Sequence, residues 1–358
     1  MIVSGTEHRR SGCEVLIIGS GTSGLSTALE LAHRGVADIL VADHGPFAGF
    51  EHETRTSPAV RCPAPAVDWR LSARHYSTLP GTTHPVGGRS RGWHGVVLPV
   101  HRRVLAERWP YRVVATLLGD GPGSYAAVLR ELDQWRAVPV GTAQCASDDR
   151  ISRAWNALQP ATPVSVVPQA GRSSDTGAGR RYWVYSPLLA WRQEGLHRHR
   201  GIPLPTIAHD LQAAHLLLDG DRVTGAVFRL PDGTTRTVTA EVVVLAAGAL
   251  ENTRLYAQAL ALRQEPVLTW PGLNDHLTHG IVVPLPDSLR AAWSAPDRAF
   301  LWSEQESAYR ANLFVDVHAM GLPEPILDLW WIAQQEEPFT DSIGFTPDGG
   351  TWPARIDS

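Results

Sequence analysis

Near its N-terminus the chain contains the stretch Val15-Leu16-Ile17-Ile18-Gly19-Ser20-Gly21-Thr22-Ser23-Gly24. Its apolar half predicts a buried parallel strand over residues 13–18, and the apolar spacing that follows predicts a helix over residues 22–34. A Gly-x-Gly-x-x-Gly turn between such a strand and such a helix is typical of dinucleotide binding, because the helix N-terminus offers free N–H groups to a pyrophosphate. The alternative is a glycine turn without a ligand. The predicted cofactor residues of this turn are Gly19, Ser20, Gly21, Thr22, Ser23 and Gly24.

A second strand completes this unit. Gly35 stands where a helix C-terminus is commonly capped, and Ile39–Ala42 is apolar enough for a short buried strand. These segments predict a βαβ unit at the start of an α/β domain. Asp43 ends the second strand, 19 residues after Gly24, at a position from which a carboxylate accepts hydrogen bonds from a ribose. We include Asp43 and its neighbour His44 in the predicted cofactor site.

A second glycine turn follows about 200 residues later. Val242–Ala246 is an apolar strand that passes into Ala247 and Gly248, and we expect it to return to the first sheet. FAD-binding proteins often bring a late strand back against the cofactor, whereas an NAD dehydrogenase needs only one such crossover. We therefore predict FAD as the cofactor, with Ala247 and Gly248 beside it. Use of NAD(P) on the same dinucleotide fold is the alternative.

A third glycine-rich segment is Gly87-Gly88-Arg89-Ser90-Arg91-Gly92-Trp93-His94-Gly95. Four glycines in nine residues let the main chain lie flat against a ligand. Trp93 adds a stacking surface and His94 adds a titratable group. An arginine-rich surface loop is the alternative interpretation. The predicted cofactor residues here are Gly87, Gly88, Arg89, Ser90 and Trp93.

These segments together resemble the glucose–methanol–choline (GMC) oxidoreductases, which are FAD-dependent alcohol oxidases and dehydrogenases. The first glycine turn resembles the opening βαβ unit of that family, and residues 87–95 resemble its Gly-Gly-x-Ser segment beside the flavin. Ala246–Leu255 resembles the family's second signature region, and Asp219–Val227 resembles the β-hairpin before it. Gly272–His276 resembles a shortened Asn-x-x-Asp-His segment near the flavin. The resemblance covers residues 13–280 in scattered blocks.

The resemblance implies an α/β architecture: a Rossmann-like FAD-binding domain with an interleaved α+β substrate-binding domain, shortened at the C-terminus. We place the FAD-binding domain at residues 1–130 and 201–280, and the substrate domain at residues 131–200 and 281–358. The resemblance also implies that Ala213 touches the adenine with main-chain atoms, and that Asn274 and Asp275 lie near the flavin.

The end of the chain departs from the family pattern. Family members carry a catalytic histidine, its His or Asn partner and the last part of the FAD domain in a C-terminal segment. Nothing here matches that segment: Phe339–Pro347 resembles the region before it, and the sequence stops at Ser358. We expect a naturally short variant, one half of a split enzyme or a truncated product. In the split enzyme, a second polypeptide would supply the missing segment.

Histidines elsewhere in the chain are weighed as replacements for the missing base. His94 is the predicted catalytic residue, because it follows the glycine-rich segment expected beside the flavin. His276, His279 and His318 are weaker candidates, and an ordinary hydrogen-bonded or exposed histidine is the alternative for each. Some sugar-oxidising relatives tether FAD through a histidine near this loop. That histidine precedes the tryptophan, whereas His94 follows Trp93, so we do not expect a tether.

The composition excludes several classes of protein. All 32 Lys+Arg positions are arginine, which is typical of a GC-rich bacterial genome, and the absence of lysine excludes Schiff-base chemistry and any phosphate loop that uses a lysine. A net charge of −4 without basic clusters disfavours nucleic-acid binding. The longest apolar run, Val242–Leu250, is too short to span a membrane. The three cysteines, Cys13, Cys62 and Cys145, are too scattered for a metal site and fit a reducing cytoplasm.

The arginines of the glycine-rich and proline-rich region are expected to be solvated loop residues, with recognition of an anionic substrate as the alternative. They are Arg55, Arg61, Arg70, Arg74, Arg89 and Arg91.

The leading hypothesis is therefore a cytoplasmic FAD-dependent oxidoreductase that oxidises a small-molecule alcohol, either a sugar or a hydroxyl group of secondary metabolism. The second hypothesis is a flavin-binding subunit or pseudoenzyme that works with a partner chain. A flavoprotein with non-redox lyase or cyclase chemistry is a third, because fold does not fix chemistry.

Overall fold

The computed structural model describes residues 1–50, 69–71, 85–93, 105–107, 109–136, 152–157, 164–166, 170–176, 179–196, 201, 203–265, 270–273, 277–284, 298–303, 312–318, 326–333, 341–345 and 354–357. The helices with assigned bounds are α1 (Thr22–His33), α2 (Tyr111–Leu118), α3 (Tyr125–Arg136), α4 (Pro187–Leu196) and α5 (Ala249–Leu262). The strands are β1 (Ile2–Ser4), β2 (Gly12–Ile18), β3 (Ile39–Ala42), β4 (Trp69–Leu71), β5 (Val164–Val166), β6 (Gly171–Thr176), β7 (Gly179–Val184), β8 (Thr206–His209), β9 (Gln212–Asp219), β10 (Arg222–Arg229), β11 (Thr235–Leu245), β12 (Trp270–Leu273), β13 (Leu277–Pro284), β14 (Arg298–Ser303), β15 (Asn312–His318), β16 (Ile326–Ala333), β17 (Asp341–Phe345) and β18 (Ala354–Asp357).

The chain forms two compact units, and it enters each of them more than once. The first unit comprises Met1–Gly92, Ser186–Asn274 and Phe339–Ser358, and the second comprises Trp93–Tyr185 and Asp275–Pro338. The chain thus changes unit after residues 92, 185, 274 and 338, whereas the sequence boundaries lie at 130, 200 and 280. The last twenty residues belong to the first unit because β17 pairs with β12 and β18 pairs with β4.

The first unit is built on a seven-stranded sheet in the order β1-β8-β3-β2-β11-β10-β9. The five strands from β1 to β11 run parallel, and β10 and β9 continue the sheet as an antiparallel meander. The late strand β11 pairs with β2, so the second glycine turn returns to the sheet that carries the first one. The sequence prediction of this return is confirmed.

Apolar side chains cover both faces of this sheet. On one face, helices α1 and α4 contribute Leu25, Leu29 and Trp191 to a cluster with the strand residues Ile17 and Val41. The other face forms a second cluster in which the β9–β10 meander and helix α5 pack on the strands. Burying each such large side chain stabilises the fold by about 1.5–3 kcal/mol. Two covered faces explain why the runs Val15–Ile18 of β2 and Ile39–Ala42 of β3 are continuously apolar rather than alternating.

The predicted βαβ unit is present with almost the predicted bounds. Strand β2 begins one residue earlier than expected, α1 ends at His33, and β3 spans the predicted residues 39–42. Gly35 follows the helix C-cap in a left-handed conformation with φ +91°, the role predicted for it.

The second unit contains a five-stranded antiparallel sheet in the order β13-β16-β15-β14-β5, which confirms the sheet expected from the alternating pattern after residue 281. It also contains α2, α3 and the β6–β7 hairpin. The sequence pattern of residues 170–181 predicts an exposed loop, and that prediction is wrong. Strands β6 and β7 pair with each other through main-chain hydrogen bonds. A sequence rich in Gly, Ser and Arg does not predict this pairing.

The meander needs a smaller correction. Residues 235–239 and 241–246 are predicted as two strands, but β11 is continuous from Thr235 to Leu245. Its first half pairs with β10 and its second half with β2, because the strand leaves the meander to join the parallel sheet.

Candidate functional site

The two predicted glycine turns lie against each other. A Cβ atom added to Gly19 would stand 2.8 Å from Cα of Ala247 and would collide with the carbonyl group of Ala246. Gly19 also has φ +106°, a left-handed conformation that disfavours any side chain. The main-chain N–H of Ala246 donates to the carbonyl of Ile18 at 2.8 Å, which fixes the two turns side by side. Residues 228 positions apart in sequence thus lie side by side.

Ser20 connects the first turn to the two other predicted segments. Its Oγ donates to Oδ2 of Asp43 at 2.6 Å, and its main-chain N–H donates to the same oxygen at 2.7 Å. The N–H of Gly87 in turn donates to Oγ of Ser20 at 2.8 Å. The other carboxylate oxygen, Oδ1 of Asp43, accepts from the N–H of Gly45 at 2.8 Å. The carboxylate is oriented by three donors and keeps acceptor capacity for a ligand hydroxyl, because it offers about four lone-pair sites.

The third glycine-rich segment closes on the first turn through Gly88. A Cβ atom at Gly88 would lie 3.2 Å from Cα of Gly21, and the residue has φ +55°. The buried Ser90 stabilises this turn: its Oγ donates to the carbonyl of Gly87 at 2.6 Å and lies 3.2 Å from Oγ of Ser186. Arg89, by contrast, is exposed. Gly87 and Gly88 therefore lie against the first glycine turn, and a cofactor contact by residues 87–90 stays a prediction.

The space at the centre of these turns fits a dinucleotide. Gly21 is the N-cap residue of α1, and no side chain forms a capping hydrogen bond there. The space beside Gly21 is open, because a Cβ atom added to it would have no heavy atom within 4 Å. Thr22 and Ser23 follow in the first helical turn with exposed side chains. The uncapped N–H groups and the positive end of the helix dipole face this space, an arrangement that binds phosphate. Nε2 of His44 is buried and has no hydrogen-bond partner in the described part of the chain, which leaves it for a ligand.

Asn252 shapes the second glycine turn, and the sequence did not identify it as a site residue. Its Oδ1 accepts from the N–H of Ala247 at 2.8 Å, and its Nδ2 donates to the carbonyl of Leu245 at 3.3 Å. Gly248 is the N-cap of α5 and has φ +87° with open space around it. A short polar side chain in the first turn after a capping glycine is the signal that would have found this residue.

The start of strand β9 lies next to Asp43. The N–H of Leu211 donates to the main-chain carbonyl of Asp43 at 2.8 Å, and Ala213 follows two residues later. The carbonyls of Ala213 and Ala214 both accept from the buried guanidinium of Arg254, at 2.6 Å and 3.0 Å. The predicted adenine residue is thus at the end of the sheet where the predicted ribose residue stands.

The structure does not describe several of the other predicted residues. His94, Asn274, Asp275 and His276 lie outside the described residues, as do the side chains of His279 and His318. Trp93 belongs to the second unit, where its Nε1 donates to the carbonyl of Tyr185 at 2.8 Å.

Metal and thiol chemistry have no support among the described residues. No group of three or more His, Cys, Asp or Glu side chains there is arranged to hold a metal ion. Burial raises the pKa of the Cys13 thiol to about 11, and the nearby carboxylate of Asp38 adds to the effect. The thiol therefore stays protonated at neutral pH and is a poor nucleophile.

None of the described helices is both long and apolar enough to cross a membrane.

Comparisons with known proteins agree with this geometry. A family model described as an FAD binding domain matches residues 12–51. The solved structure of pyridoxine 4-oxidase from Mesorbium loti is 17% identical, with a TM-score of 0.54 over 96% of this chain and 75% of that chain. Formate oxidase is 11% identical, with a TM-score of 0.57 over 98% and 78%. A variant of formate oxidase from Aspergillus oryzae RIB40 is 12% identical, with a TM-score of 0.56 over 98% and 78%. No protein with a curated description matches the sequence.

The matched residues 12–51 contain β2, the first glycine turn, α1, β3 and Asp43. The structural likeness extends over nearly the whole chain and shows a shared fold at low identity. The fold class and the FAD cofactor predicted from the sequence are confirmed. The chain therefore has an α/β fold with an FAD-binding unit, and it shares this fold with pyridoxine 4-oxidase and formate oxidase.

Proposed function

We propose that the protein is an FAD-dependent oxidoreductase that oxidises the hydroxyl group of a small molecule. The observation that carries the proposal is the convergence of three glycine turns, around Gly19, Gly88 and Ala247, on the N-terminus of α1. That geometry supports binding of a flavin dinucleotide. FAD, when bound, accepts the hydride that leaves the substrate carbon.

The described residues would bind and orient this cofactor. The N–H groups after Gly21 and the hydroxyls of Thr22 and Ser23 would hold the pyrophosphate, and Asp43 would accept from the ribose. His44 would offer its buried Nε2. These groups would bind and orient the cofactor, and we assign none of them to removal of the substrate proton.

For proton removal we propose His94. It directly follows the glycine-rich segment whose first residues, Gly87 and Gly88, lie at the dinucleotide turn. Histidine is the side chain that most often serves as a general base at neutral pH. Replacing His94 with Gln should abolish substrate-dependent flavin reduction and leave FAD binding unchanged.

The test of the main proposal is spectroscopic. The purified chain should be yellow because of flavin absorbance. A panel of alcohols is then added under anaerobic conditions, and a substrate among them should reduce the flavin and bleach its colour. The panel should include sugars and pyridoxine, after which one structural neighbour is named. Formate, which is not an alcohol, should be tested beside the panel, because a second neighbour is named after it. A colourless chain that cannot take up added FAD would contradict the proposal.

A second candidate is a flavin-binding subunit that needs a partner polypeptide, and one observation favours it. Over Ala240–Leu245, strand β11 pairs with β2 on one edge, and no described strand pairs with its other edge. The apolar Val242 on this segment is 52% exposed. An open edge beside a parallel strand is a place where an added strand gains main-chain hydrogen bonds.

Flavin reduction by the isolated chain separates the two candidates. Bleaching by any alcohol of the panel without a second protein supports the self-sufficient oxidoreductase. A yellow chain that no alcohol reduces supports the dependent subunit. We propose a cytoplasmic location in either case, in keeping with the few and scattered cysteines.

A further inference from the structure

Arg254 is a fully buried cation that holds a strand edge. It lies in the second turn of α5, and none of its surface is exposed. Its guanidinium donates to the carbonyls of Ala213 and Ala214 on strand β9, at 2.6 Å and 3.0 Å. The carboxylate of Glu251 balances the charge at 2.7 Å, and Oε1 of Gln258 accepts at 2.8 Å. A planar group with five donors can satisfy all of these acceptors at once.

The two carbonyls belong to an irregularity in the sheet. Along the β9–β10 pairing, His215 stands opposite Val227 and Ala213 stands opposite Phe228, so Ala214 is the extra residue of a β-bulge. In a regular strand, neighbouring carbonyls point to opposite sides. The bulge turns the carbonyls of Ala213 and Ala214 toward one guanidinium. Bulges often re-aim a main chain next to a functional site.

This bulge is at the cofactor end of the sheet. Two residues before Ala213, the N–H of Leu211 donates to the carbonyl of Asp43 at 2.8 Å. Helix α5, which carries Arg254, starts at the second glycine turn, at Gly248. Arg254 therefore connects helix α5, which follows the second glycine turn, to strand β9, which we expect to contact the adenine.

We propose that Arg254 is a positioning residue for recognition of the adenine, an inference that rests on the proposed FAD-dependent function. By fixing the bulge, it holds the main-chain donors and acceptors around Ala213 in one orientation. Adenine presents an acceptor at N1 and a donor at its amino group, whereas guanine presents the reverse at the same positions. A rigid main chain distinguishes these two bases, and a loosened one does not.

The experiment measures the dissociation constants of ADP and GDP, which share ribose and phosphates and differ only in the base. We expect the wild-type apoprotein to prefer ADP by about tenfold or more, the equivalent of one or two hydrogen bonds. In Arg254→Met the ratio of the two constants should fall about fivefold. Arg254→Lys, whose single ammonium cannot serve both carbonyls and Glu251, should give an intermediate ratio.

The matched control is Arg236→Met. Arg236 also donates to two main-chain carbonyls, those of Gly5 and His8, and these belong to none of the three glycine turns. This variant should lose stability and keep the ADP preference. If the ratio of the ADP and GDP dissociation constants is unchanged in the Arg254 variants, Arg254 is only structural. The same conclusion holds if the variants lose affinity for both nucleotides equally. If Arg254→Met does not fold, the test uses Arg254→Lys and Glu251→Gln instead, again by the ratio of the ADP and GDP dissociation constants.

The outcomes separate this inference from the function on which it rests. Wild-type protein that binds FAD but has no preference for ADP over GDP overturns the inference and leaves the FAD-dependent function intact. Wild-type protein that binds neither FAD nor ADP contradicts the proposed function itself.

Discussion

The hydroxyl of Ser20 donates a 2.6 Å hydrogen bond to the carboxylate of Asp43 and accepts a 2.8 Å bond from the N–H of Gly87. This one buried hydroxyl joins the first glycine turn, the end of β3 and the third glycine-rich segment. Asp43 therefore organises the protein through Ser20, and we propose that its remaining acceptor capacity serves a ribose. A carboxylate held by fixed donors is already oriented before the ligand arrives, which lowers the entropic cost of binding.

Replacing Ser20 with Ala should weaken both the fold and FAD binding. The change leaves the N–H of Gly87 without its acceptor and removes a donor from a carboxylate, a loss of about 1–3 kcal/mol. We expect a lower melting temperature and an FAD dissociation constant raised about tenfold. The measurements are thermal unfolding of the apoprotein and titration with FAD.

Ser124→Ala is the matched control for that change. Ser124 is equally buried, and its Oγ accepts from the N–H of Ala127 at the start of α3, in the second unit. Losing this cap should cost about 1 kcal/mol of stability and leave FAD affinity unchanged. Equal FAD affinity in Ser20→Ala and wild type would show that the hydroxyl does not organise the cofactor site.

Two glycines of the first turn should respond in opposite ways to alanine. A methyl group at Gly21 would meet no heavy atom within 4 Å, and φ there is −66°, so Gly21→Ala should change stability by less than about 0.5 kcal/mol. It should nevertheless raise the FAD dissociation constant about tenfold or more, because the methyl group would occupy the space of the pyrophosphate.

At Gly24 the same methyl group would collide with the carbonyl oxygen of Gly19 and lie 3.2 Å from Cβ of Ala246. Gly24→Ala should therefore lower the melting temperature by an amount equivalent to about 1–3 kcal/mol. The pair is checked by thermal unfolding and FAD titration in parallel. A Gly21→Ala protein with wild-type affinity would remove the first glycine turn from the cofactor site.

The fold was most predictable where a local pattern carries the information. The apolar run before Gly19 and the helical spacing after it predicted the bounds to within one residue, because both faces of the parallel sheet are covered and Val15–Ile18 is continuously apolar. The left-handed Gly35 was predictable for the same reason, since only the local chain geometry requires it.

The remaining features depend on pairing between distant residues, which local pattern does not encode. The β6–β7 hairpin consists of polar residues that pair through their main chains. Arg91 is expected to be a solvated loop residue, and that expectation is wrong: Arg91 is buried, and its Nη2 donates to the carbonyl of Ala48 at 3.3 Å. Arg254 is also fully buried, because the bulge at Ala214 supplies its acceptors. Likewise, the acceptor role of Ser20 toward Gly87 joins residues 67 positions apart.

Asn252 should control the shape of the second glycine turn. Asn252→Ala leaves the N–H of Ala247 without an acceptor, which should cost about 1–3 kcal/mol of stability and weaken FAD binding. Asn252→Asp retains the acceptor and loses only the donor to Leu245, so it should recover most of both properties. Thermal unfolding and FAD titration check these expectations.

The neighbouring Thr253 provides the control for Asn252. Its exposed hydroxyl donates only to the carbonyl of Ala249 within its own helix, and Thr253→Ala should stay within about 0.5 kcal/mol of wild type. If Asn252→Ala behaves like Thr253→Ala, the side chain of Asn252 does not hold the turn.

His8 should make the fold sensitive to mild acid. Burial lowers its pKa from the ordinary 6.5, and the nearby charges of Arg236 and Arg10 lower it further. Because the folded-state pKa lies below the unfolded one, the unfolded chain binds more protons in the interval between them. The contribution of His8 is therefore fully present above about pH 6.5 and is lost as the pH falls below that value.

His8→Gln, which cannot be protonated, should reduce the drop in melting temperature between pH 7.5 and pH 5.5, to a degree set by that pKa shift. His33→Gln is the control, since His33 is exposed and carries no comparable burial. An equal pH response in wild type and His8→Gln would mean that protonation of His8 does not contribute to acid destabilisation. The effect should survive added salt, because it arises first from burial and only second from Arg236 and Arg10.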